Sequence, residues 1–139
     1  MNPHDPRKRP GAHLVHDRLG VSDPWTLYSR HPCESPLGRL AWLLATSARD
    51  LDHLHAELAA QARQVIERLE PIARGDHTSL RSDDTVLQST SLQVDVLTAR
   101  RGTAYQQLIG ALDDYERTTR RARATLRRSP WPRRPKAMR

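Results

Sequence analysis

The sequence predicts an all-α protein built around one long antiparallel helical hairpin of coiled-coil type. Three observations predict this class. Leu (18 residues) and Ala (15) dominate a chain of 139 residues that contains no Phe, and this composition favours helices over sheets. Apolar residues recur with helical rather than alternating spacing over two long stretches. Proline and capping residues stand at the ends of those stretches.

Residues 1–34 are expected to form an irregular arm that is rich in Pro and His. Five prolines interrupt this segment and no sustained apolar period is present, a pattern typical of loops. Trp25, Leu27 and Tyr28 are apolar enough to cover the end of a helix. We therefore expect part of the arm to dock on the hairpin.

The first hairpin helix is predicted over residues 36–70. Ser35 is a favourable N-cap, and Pro36 suits the first helical position, where its missing N–H costs nothing. The helix is expected to end or kink near Leu69, because Pro71 disfavours helical geometry in the residue before it. An apolar stripe recurs every seven positions and consists of Leu37, Leu44, Leu51, Leu58 and Val65.

The second hairpin helix is predicted over residues 85–128, so that the whole hairpin occupies residues 35–128. Thr85 and Gln88 have the spacing of a capping box, and a Ser-Pro pair stops the helix after residue 128. The remaining residues, 129–139, are expected to form a basic, disordered tail. The stripe of this helix is weaker and includes Leu87, Val94, Leu108 and Leu112.

The two stripes form the predicted interaction surface. A lone hairpin buries little apolar area, so we expect a second copy, or a helical partner protein, to complete a bundle. The alternative is a hairpin closed by residues 12–34 of its own chain. Arg101 interrupts the second stripe at the level of about residue 54. Either it forms a polar layer with Asp50, Asp52 or His55, or the heptad breaks there and it faces water.

Charge is concentrated at the C-terminus. Of 23 basic and 16 acidic residues, 10 basic and no acidic ones lie in residues 117–139. The second helix is expected to extend about ten residues, or ~15 Å, past the first, and the arginines of that extension fall within an arc of ~160°. The predicted nucleic-acid-binding residues are Arg117, Arg120, Arg121, Arg123, Arg127, Arg128, Arg133, Arg134 and Lys136.

This cationic end predicts binding of nucleic acid, either DNA or RNA, through phosphate contacts without base specificity. The alternative function is a protein-interaction or adaptor module that completes a helical bundle with a partner chain. A merely solvated helix end would also carry positive charge. Membrane attachment is not expected, because the cationic stretch has too few apolar residues to insert.

No catalytic motif is present, so no enzymatic activity is expected. The single Cys, the missing signal-like apolar stretch and the missing membrane-spanning run favour a cytoplasmic protein. We also expect no metal and no cofactor, because the spacings of the potential ligands match no common metal site. Those ligands are Asp50 with His53, Asp52 with His55, His13 with His16, and His31 with Cys33.

Overall fold

The structure is a computed structural model that describes residues 1–75 and 80–128, except for the side chains of residues 80–88. Within these ranges all regular secondary structure is helical, which confirms the all-α prediction. The predicted tail lies outside the described residues, and so does the side chain of Leu87. The helices are α1 (Pro10–Leu19), α2 (Pro24–Ser29), α3 (Pro36–Ala73) and α4 (Leu80–Arg128).

The N-terminal arm contains α1 and α2 and is therefore more regular than predicted. Pro10 and Pro24, which suggested an irregular segment, stand at the first positions of these helices, where proline is favourable. Gly20 ends α1 in the left-handed region, at φ 68°. At the start of α2, Asp23 Oδ1 accepts a hydrogen bond from Trp25 N at 3.0 Å. The prediction of an irregular arm is wrong for these two helices, because its prolines begin helices instead of breaking them.

α3 begins as predicted and ends about one turn later than predicted. The hydroxyl of Ser35 accepts a hydrogen bond from Gly38 N at 3.0 Å, as an N-cap does. The helix then continues through Pro71. A proline this close to the end of a helix removes one backbone hydrogen bond and disturbs only the last turn, so the expected stop near Leu69 does not occur.

α4 begins at Leu80, five residues before the predicted start at Thr85. The capping-box prediction is therefore wrong, since Thr85 lies inside the helix. Acidic residues are favourable within the first turns of a helix as well as before it. The Asp83–Asp84 pair in the sequence is therefore compatible with a helix that begins before it as well as with one that begins after it.

α3 and α4 lie against each other and run in opposite directions. Arg68, near the end of α3, donates to Thr90 Oγ1 at 3.0 Å. His55, in the middle of α3, contacts Arg101 at 3.2 Å. The numbers of residues at the same level of the two helices thus add to about 157.

The core lies in the half of the α3/α4 pair that α1 and α2 cover. α1 contacts both long helices, and α2 contacts α3. In this half the chain closes the pair with its own residues 12–34, as one of the two alternatives expected. The largest buried side chains there are Val15, Leu44, Leu51, Leu108 and Leu112.

The predicted interaction stripe divides between two environments. Its fully buried members belong to the chain's own core, so they do not face a partner. The buried members are Leu44, Leu51, Leu108 and Leu112, and half-buried Leu37 packs against the same core. Towards Gly75 the pair consists of two helices only, and Leu58, Val65 and Val94 are half-buried there.

Candidate nucleic-acid interface

The C-terminal end of α4, residues 117–128, is called the tip here. Since residues at the same level add to about 157, Pro36 at the start of α3 lies level with about residue 121. α4 therefore extends past α3 by roughly eight residues, or ~12 Å at 1.5 Å per residue. This extension is close to the one expected from the sequence.

The arginines of the tip point into solvent. Every residue from Arg120 to Arg128 is exposed. Arg117 forms an ion pair with Asp114 at 3.3 Å, and both side chains are more than half exposed. The tip is not folded back on carboxylates. Within the described ranges no ion pair involves Arg120, Arg121, Arg123, Arg127 or Arg128.

The base of the tip is anchored to the segment between α2 and α3. Tyr115 is buried, and its hydroxyl lies 2.8 Å from Nε2 of His31. The two rings meet edge to face, with centroids 5.8 Å apart. Burial raises the pKa of Tyr115, so its hydroxyl stays protonated. Its hydrogen bond with the imidazole attaches the base of the tip to the segment between α2 and α3.

Two of the three acidic side chains just before the tip form ion pairs with one guanidinium group, that of Arg18 in α1. Arg18 Nη2 lies 2.7 Å from Asp113 Oδ1, and Arg18 Nε lies 2.8 Å from Glu116 Oε1. The hydrogen bond from Arg18 lowers the pKa of Glu116, so this carboxyl remains ionised and paired. The third, Asp114, binds Arg117. All three carboxylates are thus in ion pairs, and within the described ranges Arg117 is the one tip arginine that pairs with them.

Helical spacing in the sequence predicts ion pairs of this acidic patch with Arg117 and Arg120, which follow it, and gives no sign of Arg18. The pair of Asp114 with Arg117 agrees with that prediction. Arg18 lies 95 and 98 positions away from its two partners, and no local spacing signals a contact at such a separation. Arg18 lies near the end of α1, a short helix that was not predicted from the sequence.

Arg101 forms the polar layer that was one of the two expectations for this residue. Its Nη1 donates to Nδ1 of His55 at 3.2 Å. Since a guanidinium group only donates, Nδ1 is the acceptor and the proton is on Nε2, which donates to the carbonyl of Arg7 at 2.7 Å. The layer therefore joins α3, α4 and the N-terminal segment. His55 is one of the three predicted partners.

Asp52, another predicted partner of Arg101, binds the start of α1 instead. Its Oδ1 accepts a hydrogen bond from Gly11 N at 2.6 Å, and its Oδ2 accepts one from Ala12 N at 3.3 Å. Arg9 also lies 3.5 Å from this carboxylate. Negative charge at a helix N-terminus is stabilising, so Asp52 caps α1 from a different helix.

Several of the potential metal ligands contact other side chains. His13 Nε2 lies 3.0 Å from Asp17 Oδ2, His31 contacts Tyr115, and Cys33 is exposed beside Tyr28. Over residues 1–75 and 80–128 the search found no group of three or more His, Cys, Asp or Glu side chains arranged to hold a metal ion.

Two further findings do not concern any single site. Among the described residues no helix combines the length and the apolarity that crossing a bilayer requires. Comparisons with protein-family models, with curated proteins and with solved structures found no match.

Proposed function

We propose that this protein is a cytoplasmic, non-enzymatic accessory protein that binds DNA or RNA electrostatically. The tip of α4 makes the contact, together with Arg133, Arg134 and Lys136 of the tail. In this proposal α3 and α4 form a coiled-coil-like hairpin, and the body self-associates. The tail residues lie outside the described part of the chain and enter the proposal from the sequence alone.

The observation that carries the proposal is the set of exposed tip arginines that lack carboxylate partners. Guanidinium groups bind phosphate through two parallel hydrogen bonds and are weakly hydrated. An array of them along one side of a helix replaces the counterions condensed on a nucleic acid, and the release of those counterions favours binding. Carboxylates that would compete for these arginines are already paired with Arg18 or Arg117.

The same geometry argues against reading of base sequence. A helix-turn-helix places a short recognition helix in the major groove, whereas α4 has 49 residues. Its cationic residues are arginines spread over an arc of ~160° rather than a few polar side chains aimed at base edges. Phosphate contacts of this kind determine affinity and position but carry little sequence information.

One observation favours the alternative function, a protein-interaction module. On the side of the tip that continues the α3/α4 seam, Leu126 is 78% exposed and Ala122 is also exposed. A partner helix could cover this apolar side and complete a bundle there. The arginines would then border a protein interface, and their loss would weaken partner binding instead of nucleic-acid binding.

Affinity for duplex DNA and single-stranded RNA, measured over a series of salt concentrations, tests the proposal. The intact protein is expected to bind both, with an affinity that falls steeply with salt. Every buried residue of the described part lies at or before Tyr115, so a chain truncated after Glu116 retains its core. This truncated chain is expected to lose the binding. Unchanged affinity after truncation would contradict the proposal.

A further inference from the structure

The α3/α4 pair has one covered side and one side that the rest of the described chain leaves open. On the covered side, Pro6 and Pro10 lie beside Arg101 and Tyr105. On the open side, two adjoining depressions of about 530 and 340 Å³ follow the pair and share Glu57 and Arg100. This open side is called the groove face. It includes Asp50, Leu54, Glu57 and Gln61 of α3, and Leu92, Val96, Arg100, Thr103 and Gln107 of α4.

We propose that the groove face binds the groove face of a second copy of this chain, forming a symmetric dimer with a four-helix centre. The inference rests on the self-association included in the proposed function and is independent of nucleic-acid binding. Part of the face is apolar, since Leu92 is 64% exposed, Val96 is 49% exposed and Leu54 is half-buried. Burial of such side chains is the main force that drives protein association.

The distribution of charge on the groove face identifies the occupant as a second copy. The α3 edge carries two acidic side chains, Asp50 and Glu57, together with Arg49 and His53, and the α4 edge carries Arg100 at the level of Glu57. The side chains of Glu57 and Arg100 are exposed, and neither is in an ion pair within the described ranges. A face with a carboxylate on one edge and a guanidinium at the same level of the other edge is complementary to itself when its two edges exchange places.

The two-fold axis that exchanges the edges runs parallel to the long helices. Rotation about it lays α3 of one copy over α4 of the other at the same level and in antiparallel direction. Glu57 then meets Arg100 of the second copy, twice by symmetry, and Asp50 lies level with Gln107. An axis perpendicular to the helices would instead place α3 against α3, so that Glu57 would not meet Arg100 of the second copy.

The size of the groove face is that of a small interface. From Asp50 to the level of Leu92 it is about 23 Å long at 1.5 Å per residue, and two helices side by side are about 20 Å wide. Its area is therefore about 460 Å² per copy, below the ~800 Å² per partner of a standard protein interface, so we expect a weak dimer that forms at high protein concentration.

This arrangement has a consequence for the tips. A two-fold axis parallel to the helices leaves both tips at the same end of the dimer. Two cationic helix ends on one rigid body bind a single nucleic acid more tightly than one end does, because the second contact is intramolecular.

Charge reversal in the full-length chain tests the interface, with molar mass measured by light scattering after size exclusion and by sedimentation. At high protein concentration the wild type is expected to have twice the chain mass of 15.9 kDa. Glu57→Arg and Arg100→Glu each place like charges together and are expected to weaken dimerisation about 10-fold or more. The double variant restores the opposite pairing and is expected to regain the dimer.

The control is Glu67→Arg, which reverses the same charge at an exposed position of α3 outside both depressions and should leave the dimer intact. A monomeric wild type, single reversals without effect, or a double variant that stays monomeric would each overturn the inference. Circular dichroism verifies that every variant is folded. Nucleic-acid binding is measured separately, so a failure of the interface and a failure of the proposed function give different results.

Discussion

His55 of α3 and Arg101 of α4 form the one side-chain hydrogen bond that reaches from the middle of α3 to α4 in the described structure, with Nη1 of Arg101 3.2 Å from Nδ1 of His55. Both side chains are half-buried, and the other nitrogen of His55 donates to the carbonyl of Arg7. A slip of either helix by one residue would separate the pair. The contact therefore favours one alignment of the two helices, as polar residues at seam positions do.

Replacement of Arg101 by Leu tests this role. The free energy of unfolding is expected to fall by about 1 kcal/mol, because Nδ1 of half-buried His55 loses its hydrogen-bond donor. The alignment of the helices is expected to become less specific, so that sedimentation shows more than one assembly size. Arg63→Leu, on the exposed side of α3, is the control. If the melting temperature and the assembly size of the Arg101 variant both match the wild type, the polar layer has no such role.

Close packing of α1 on α3 predicts that Gly11→Ala is destabilising. A Cβ at Gly11 would overlap the carbonyl oxygen of Ala48, a backbone atom that cannot move without shifting α3. Overpacking of this kind typically costs about 1–3 kcal/mol. Denaturation by urea is expected to show this loss in the free energy of unfolding.

Gly102→Ala provides the matched control for that experiment. No atom lies within 4 Å of a Cβ built at Gly102, and alanine inside a helix is more stable than glycine by roughly 0.5–1 kcal/mol. The same substitution should therefore have opposite signs at the two positions. If the two substitutions changed the free energy of unfolding equally, α1 would not pack closely on Ala48.

The pairing of Arg18 with Glu116 predicts a pH-dependent contribution to stability. The hydrogen bond from Arg18 lowers the pKa of Glu116 below its ordinary 4.5. A carboxyl whose pKa is lower in the folded state stabilises that state above about pH 4.5, and the stabilisation disappears as the pH falls through the folded-state pKa. Arg18→Gln is thus expected to cost up to about 1 kcal/mol at neutral pH, because these side chains are partly exposed, and less in acid.

Unfolding of Arg18→Gln and of the wild type should be compared at neutral pH and below pH 4. Arg74→Gln is the control, because its pair with Glu70 has an N–O distance of 3.8 Å and both side chains are mostly exposed. Little effect is expected there at either pH. A difference between Arg18→Gln and the wild type that stays constant on acidification would show that the pairing with Glu116 is not responsible.

The long helices could be predicted from the sequence because their signals are local. Ser35, Pro36 and the seven-residue spacing of leucines act within one or two turns of the chain. The level of Arg101 relative to α3 could be predicted from the position of the loop between the two long helices. In the structure Arg101 contacts His55. The boundaries were less certain because Pro71 and the residues before Thr85 are compatible with more than one end point.

The role of the N-terminal segment could not be predicted, because it depends on contacts between distant residues. Asp52 caps α1 across 41 positions of sequence, and Arg18 reaches Glu116 across 98. No periodicity or spacing records such contacts. The concentration of arginine in the tip was visible in the sequence, whereas the pairing of the preceding carboxylates with α1 required the structure.

The exposed arginines of the tip predict a graded effect on the salt dependence of nucleic-acid binding. Each phosphate contact contributes about 0.9 to the slope of log affinity against log salt for duplex DNA and about 0.7 for single strands. Arg121→Gln and Arg128→Gln each remove one candidate contact and are expected to reduce the slope by about these amounts. The double variant is expected to show the sum, because the two side chains are exposed and a full turn or more apart.

Substitution of arginines at the opposite end of the body distinguishes a local effect of the tip from an effect of the net charge of the chain. Arg63→Gln and Arg74→Gln change the charge of the chain by the same amount, but they lie near the far end of α3. If total charge governed binding, these variants would lower the slope as much as the tip variants do. Because counterion release counts only the phosphates that are contacted, the slope of the far-end variants is expected to match the wild type. An equal reduction at both ends would contradict binding through the tip.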